Sequence, residues 1–182
     1  MERVLAAYAA RTSSTGEIAL AIGEVLSRAG FHVDVRSCAR AKDADHYAAV
    51  IIGSGCALGR WDDDALDYLV RHAPQLSLRP TWLFQNGPLQ SSGTGTGVAA
   101  GQHAVPQVVR TLADRYDLAP PVIFDARSDL GSRPLTLRRW MSGEPAPVEL
   151  TGPDRVRTWA GDIAGLLTGA MASPLSALPA HS

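Results

Sequence analysis

The chain has little from which to build a disulfide framework: Cys38 and Cys56 are its two cysteines in 182 residues, and no Cys-x-x-Cys spacing occurs. This excludes a cysteine-stapled secreted scaffold and a paired-thiol zinc or redox motif, and fits a reducing, cytoplasmic setting. An excess of one charge sign is also missing. Seventeen basic residues against 18 acidic ones leave a formal net charge of -1, so no overall field draws the chain to nucleic acid or anionic lipid. No apolar run approaches the about 20 residues of a membrane helix, and no integral membrane segment is expected. The run Val4–Ala10 is too short for a signal core, although Ala7-Tyr8-Ala9 mimics a cleavage site; its residues Val4–Tyr8 read as a buried strand. His32, His46, His72, His103 and His181 are scattered without ligand spacing, so no metal site is expected.

What is present is a βα alternation in a length that suits one domain, placed at residues 1–169, followed by an Ala/Ser/Pro-rich stretch, 170–182, expected to be a disordered tail. Val4–Tyr8 reads as a strand and Thr15–Gly30 as a helix, with Ile18, Ile22, Val25 and Leu26 at helical spacing and Gly30 as its stop. Phe31–Arg36 alternates like a strand near a sheet edge, and Tyr47–Ile52 is nearly continuous in apolar character, as a central parallel strand is, with Gly53 ending it. Asp62–His72 reads as a helix with Asp62, Asp63 and Asp64 as capping charges at its positive end. Pro80–Phe84 and Pro121–Phe124 supply two further strands, and Val105–Tyr116 and Asp154–Leu167 two further helices.

A repeated βα order implies right-handed crossovers and a parallel sheet, with ligands bound outside the carboxyl ends of the strands. Three loops converge there: Ala9–Thr15, Ser54–Trp61 and Gln85–Gly101, the last with five glycines between Gly87 and Gly101. Thr12, Ser13, Ser14 and Thr15 put four hydroxyls at a helix start, where unbonded N–H groups and the dipole favour an anion such as phosphate. Ordinary N-capping by Ser14 or Thr15 is the competing explanation, and four hydroxyls exceed what a cap needs.

On these residues the chain resembles flavodoxins: Val4-Leu5-Ala6-Ala7-Tyr8-Ala9-Ala10-Arg11-Thr12-Ser13-Ser14-Thr15-Gly16-Glu17-Ile18-Ala19 is similar to their FMN phosphate loop. Ile51-Ile52-Gly53-Ser54, then Gly59-Arg60-Trp61, resembles the second flavin loop of the flavodoxin-domain group that includes menaquinone-dependent protoporphyrinogen oxidases. Trp82–Leu89 is similar to that group's third loop. The resemblance implies a three-layer doubly wound domain with five parallel strands in the order 2-1-3-4-5, and FMN as cofactor. It places the phosphate on Thr12, Ser13, Ser14 and Thr15. The ring falls between two segments: Ser54, Gly55, Cys56, Ala57, Leu58 and Gly59 on one side, and Asn86, Gly87, Pro88 and Leu89 on the other. Three positions depart from the family pattern: Ala10 replaces a hydroxyl residue, Ser13 a glycine, and Cys56-Ala57-Leu58 lacks the aromatic that stacks on the ring. Trp61 either reaches over the ring instead or packs at a helix start. Arg11 and Arg60 either contact the flavin or an anionic partner, or are solvated.

Other chemistries find less support. Gly95-Thr96-Gly97-Val98-Ala99-Ala100 satisfies a dinucleotide fingerprint but trails the fourth strand instead of following the first. A thiolate phosphatase needs an arginine six residues after its cysteine, where Cys56 has Asp62 and Cys38 has Ala44. Gly53-Ser54-Gly55 is not a full nucleophile elbow. No catalytic side chain is therefore assigned, as befits a site whose cofactor carries the electrons. The expected function is electron transfer with a redox protein, or oxidation of a small porphyrinogen- or quinone-type substrate. The alternative is a flavin-free binding or regulatory module. Arg127, Arg133, Arg138 and Arg139 mark either a partner surface or a solvated loop.

Overall fold

Arg3–Ala9 forms the first strand, β1, and its Val4, Leu5, Ala6 and Ala7 are fully buried, which requires cover on both faces of the sheet. The computed structural model describes residues 2–9, 13–87, 105–124 and 154–172. Helix α1, Ser13–Arg28, follows β1 and lays Ile18, Ala19, Ile22 and Leu26 against the sheet. Full burial of each of the larger side chains contributes about 1.5–3 kcal/mol. Its end is a Schellman motif. Gly30, at φ +97°, donates to the Ser27 carbonyl at 3.1 Å, and Phe31 N–H donates to the Leu26 carbonyl at 3.1 Å.

Strand β2, His32–Ser37, pairs with one edge of β1, and β3, Ala49–Ala57, pairs with the other. Gly53 does not end β3, contrary to expectation. A Cβ there would stand 1.9 Å from Phe84 Cζ, so this glycine admits a ring beside a continuous strand. The strand then folds back through Leu58 and Gly59, at φ +53° and +72°, into the two-residue antiparallel strand β4, Arg60–Trp61. Positive φ at both central residues is the signature of a two-residue hairpin turn of primed type.

Helix α2, Asp63–Leu76, begins at the cap Asp62 and continues past His72 because Ala73 and Leu76 are buried with the rest of its inner face. Strand β5, Thr81–Asn86, helix α3, Gln107–Arg115, strand β6, Val122–Phe124, and helix α4, Arg155–Ala172, complete the described strands and α-helices. Helix α4 runs three residues into the stretch expected to lack structure; residues 173–182 lie outside the described residues.

The sheet order is β2-β1-β3-β5-β6, all parallel, with β4 hung on β3. Apart from that short extra strand, this is the expected doubly wound order. One core lies between the sheet and α1 and α4, around Ile22, Ile51, Phe84, Phe124 and Ile163. The other lies beneath α2 and α3, around Leu5, Ile52, Trp61, Leu69 and Val109. In register, Ala9, Ser54, Gln85 and Ile123 form a row across β1, β3, β5 and β6 near the carboxyl ends.

Candidate cofactor site

The first turn of α1 contains no acidic residue, so its partial positive charge is not answered from within the turn. Thr15 is fully buried there and Ser14 half-buried. Both hydroxyl oxygens accept from one side chain: Asn86 Nδ2 donates to Ser14 Oγ at 2.9 Å and to Thr15 Oγ1 at 3.1 Å. Asn86 stands at the end of β5, so this amide ties the third loop to the start of α1. A hydroxyl that accepts from an amide directs its own proton elsewhere, and Thr15 is thereby oriented as a donor. Ser13 lies in the same turn, and Thr12, Ala10 and Arg11 lie outside the described residues. Gly16 lets the turn approach β1, since a Cβ there would stand 3.1 Å from the Tyr8 ring.

The second loop is built differently. Ser54 is fully buried, and its Oγ accepts from Asp62 N–H at 2.9 Å and donates to the Gly55 carbonyl at 2.8 Å. The hydroxyl thus joins β3 to the start of α2. Cys56 and Ala57 pair with Trp61 and Arg60 across the hairpin. Burial pushes the Cys56 thiol above its ordinary pKa and the Cys38 thiol up to about 12, so neither is a ready thiolate. At the hairpin tip, Leu58 is 87% exposed and Gly59 completes the turn. Arg60 is exposed, 3.4 Å from Asp63.

Of the two readings of Trp61, the structure shows the packed one, at the start of α2. It does not reach out over a ring: it is 2% exposed, packed in the core under α2, and its Nε1 donates to Gln85 Oε1 at 2.9 Å. An indole at a hairpin end that must close one core leaves nothing to extend outward.

Gln85 and Asn86 also belong to β5 and not to the loop expected to start there. Gln85 was not singled out from sequence, and its one signal was a polar residue inside the run Thr81-Trp82-Leu83-Phe84-Gln85-Asn86. Gly87 N–H donates to the Phe124 carbonyl at 2.9 Å, anchoring the third loop to β6. Pro88 and Leu89 lie outside the described residues, as do the glycine-rich segment 93–101 and Arg127, Arg133, Arg138 and Arg139. Among the described residues, Ser14, Thr15 and Asn86 are brought into direct contact, and Ser54, Cys56 and Leu58 lie on the neighbouring hairpin.

The fold recurs among solved structures. A point mutant of flavodoxin from Pseudomonas aeruginosa is 16% identical with a TM-score of 0.56, over 92% of this chain and 99% of that one. Oxidised flavodoxin 1 from Bacillus cereus is 14% identical with a TM-score of 0.52, over 92% and 97%. The rubredoxin oxygen:oxidoreductase of Desulfovibrio gigas is 18% identical with a TM-score of 0.55, over 95% of this chain, which spans only 38% of that larger protein. No curated protein matches the sequence. The family described as "Flavodoxin domain" matches residues 5–124, a span that runs from β1 to β6 and includes all three carboxyl-end loops. The chain belongs to the flavodoxin domain family, whose cofactor is FMN.

Proposed function

We propose that the chain holds FMN across the carboxyl ends of β1, β3 and β5 and serves as a redox protein, exchanging electrons with a protein partner or with a small porphyrinogen- or quinone-type substrate. Family membership supports a flavin-binding redox role. The likeness of the second and third loops to those of protoporphyrinogen oxidases supports that substrate class. The observation that carries the reading is Asn86, whose amide braces Ser14 and Thr15 at the start of α1.

The residues fit the cofactor. Thr12, Ser13, Ser14 and Thr15, with the N–H groups of the first turn, hold the phosphate, and no carboxylate in that turn opposes it. The segments from Ser54 to Gly59 and from Asn86 to Leu89 flank the ring. When bound, the flavin supplies one- and two-electron chemistry. The chain binds and orients it, and Gln85 offers a buried amide nitrogen, unpartnered among the described residues, at the same end of the sheet. No helix among the described residues is long and apolar enough to cross a membrane, and a cytoplasmic site of action belongs to the same proposal.

The test is the colour and turnover of the purified protein. A yellow protein whose reduced form is reoxidised by a diffusible quinone over many turnovers is an oxidoreductase; one that passes electrons only to a protein acceptor is a carrier. A colourless protein that takes up no added FMN overturns both. That outcome would favour a flavin-free binding module, the reading to which the burial of Trp61 and the internal bonding of Ser54 lend support.

A further inference from the structure

Gln85 carries a polar group that the described residues leave without a partner. Its side chain is fully buried, Oε1 accepts from Trp61 Nε1 at 2.9 Å, and Nε2 has no hydrogen-bond partner among the described residues. Turning the amide round brings no relief, because an indole N–H only donates and would then face another donor. The other such buried atoms among the described residues lie elsewhere: Arg3 Nε where β1 begins and Gln75 Oε1 in the last turn of α2. Gln85 stands opposite Ser54 in the sheet, and its Nε2 is 3.8 Å from where a Cβ on Gly87 would be. The donor therefore sits between the roots of the second and third loops, on the strand position paired with Ser54, whose own hydroxyl is engaged with Asp62 and Gly55. A buried donor left without an acceptor is costly, and its persistence at a ligand-binding end of the sheet calls for an acceptor.

We propose that Gln85 is a ring-recognition residue whose Nε2 donates to an acceptor atom in the pyrimidine half of the bound flavin, with Trp61 holding the amide in its donating orientation. This rests on the FMN reading above. The pyrimidine edge presents carbonyl oxygens and ring nitrogens, and reduction raises the negative charge on them. A fixed neutral donor then binds the reduced flavin better than the oxidised one and raises the midpoint potential.

The experiment compares the wild type with the double variant Trp61→Phe/Gln85→Leu, which removes both polar groups at nearly constant volume, and with Gln85→Glu, which keeps an acceptor for Trp61 and deletes the donor. Three quantities are measured: flavin affinity by fluorescence quenching, midpoint potential by spectroelectrochemistry, and the apo-protein's thermal midpoint. The apo double variant should melt at or above the wild-type temperature. It should bind FMN and riboflavin more weakly by the same factor, since the contact is to the ring. Its preference for reduced flavin should fall about tenfold, lowering the two-electron potential by about 30 mV. Gln85→Glu should lower affinity and potential further, and it carries the test if the double variant does not fold. Wild-type affinity and potential in a folded variant would give Nε2 to a buried water and overturn this assignment alone. A wild type that binds neither flavin would overturn it together with the FMN reading.

Discussion

Helices α1 and α2 follow the parallel strands β1 and β3, so both open at the carboxyl end of the sheet, yet their N-termini are finished in opposite ways. Helix α2 is closed by its own charges: Asp62 accepts from Asp64 N–H at 3.3 Å, Asp63 and Asp64 lie in the first turn, and Ser54 Oγ takes the Asp62 N–H. Helix α1 has no acid in its first turn, and its hydroxyls Ser14 and Thr15 are positioned by the amide of Asn86. A carboxylate neutralises a helix N-terminus, whereas neutral hydroxyls leave its field in place. Of these two helices presented to the same end of the sheet, then, the start of α1 suits an anion and that of α2 repels one, in keeping with the proposed phosphate site.

The comparison is broken most directly by making α1 resemble α2. Ser14→Asp puts a carboxylate at the proposed phosphate site, and FMN affinity should fall about a hundredfold, on the scale of a like-charge contact near a protein surface. Riboflavin binding should change little, and the apo helix should gain about 0.3–1 kcal/mol from its new terminal charge. Fluorescence titration with both flavins, with urea melts of the apo-protein, reads both effects.

Removing the brace is the next largest change. Asn86→Ala deletes the donor to Ser14 and Thr15, and FMN affinity should fall about tenfold, as expected for one or two hydrogen bonds of about 0.5–1.5 kcal/mol each. Equal losses for FMN and riboflavin would show that Asn86 acts on the ring instead of the phosphate loop.

The converse change at α2 sharpens the comparison. Asp62→Ala removes a working N-cap and should cost about 1 kcal/mol of stability in urea melts, while leaving the ratio of FMN to riboflavin affinity unchanged. A changed ratio would mean that α2 also addresses the phosphate.

The smallest effect belongs to His72, far along α2 from the cap, where burial holds the imidazole below its ordinary pKa of 6.5, against the pull of Asp43. The unfolded chain binds the proton more readily than the folded one, so stability is present above the unfolded pKa and is lost as pH falls below it. Urea melts at about pH 7.5 and about pH 5.5 should show this loss, and His72→Phe should diminish it.

Much of the fold was legible because long apolar runs have few places to go. Val4–Ala7 and Val50–Ile52 are buried on both faces, as their composition implies; the parallel sheet follows from the βα alternation, and its order is the one the resemblance to flavodoxins implies. The misreadings share one cause: the meaning of the residue depends on a partner distant in sequence. Gly53 reads as a stop, but it is the space into which Phe84 packs. The hairpin at Leu58-Gly59 lacks an Asn-Gly signal, and it is this hairpin that turns Trp61 inward onto Gln85. Asn86 reads from sequence as a candidate ring-side residue, while its partners Ser14 and Thr15, 72 and 71 positions away, are joined to it only by the sheet. Ser54 reads as the first residue of a loop, but it lies within β3, and its bond to Asp62 exists only once β3 has folded back.

The central claim is that the start of α1 binds the phosphate of FMN, and the measurement that addresses it most directly is titration of the apo-protein with FMN and with riboflavin, followed by flavin fluorescence. The account predicts tight binding of FMN and weak or no binding of riboflavin, because only FMN carries the group that α1 is finished to receive. Equal affinity for the two flavins, or no binding of either, would contradict it.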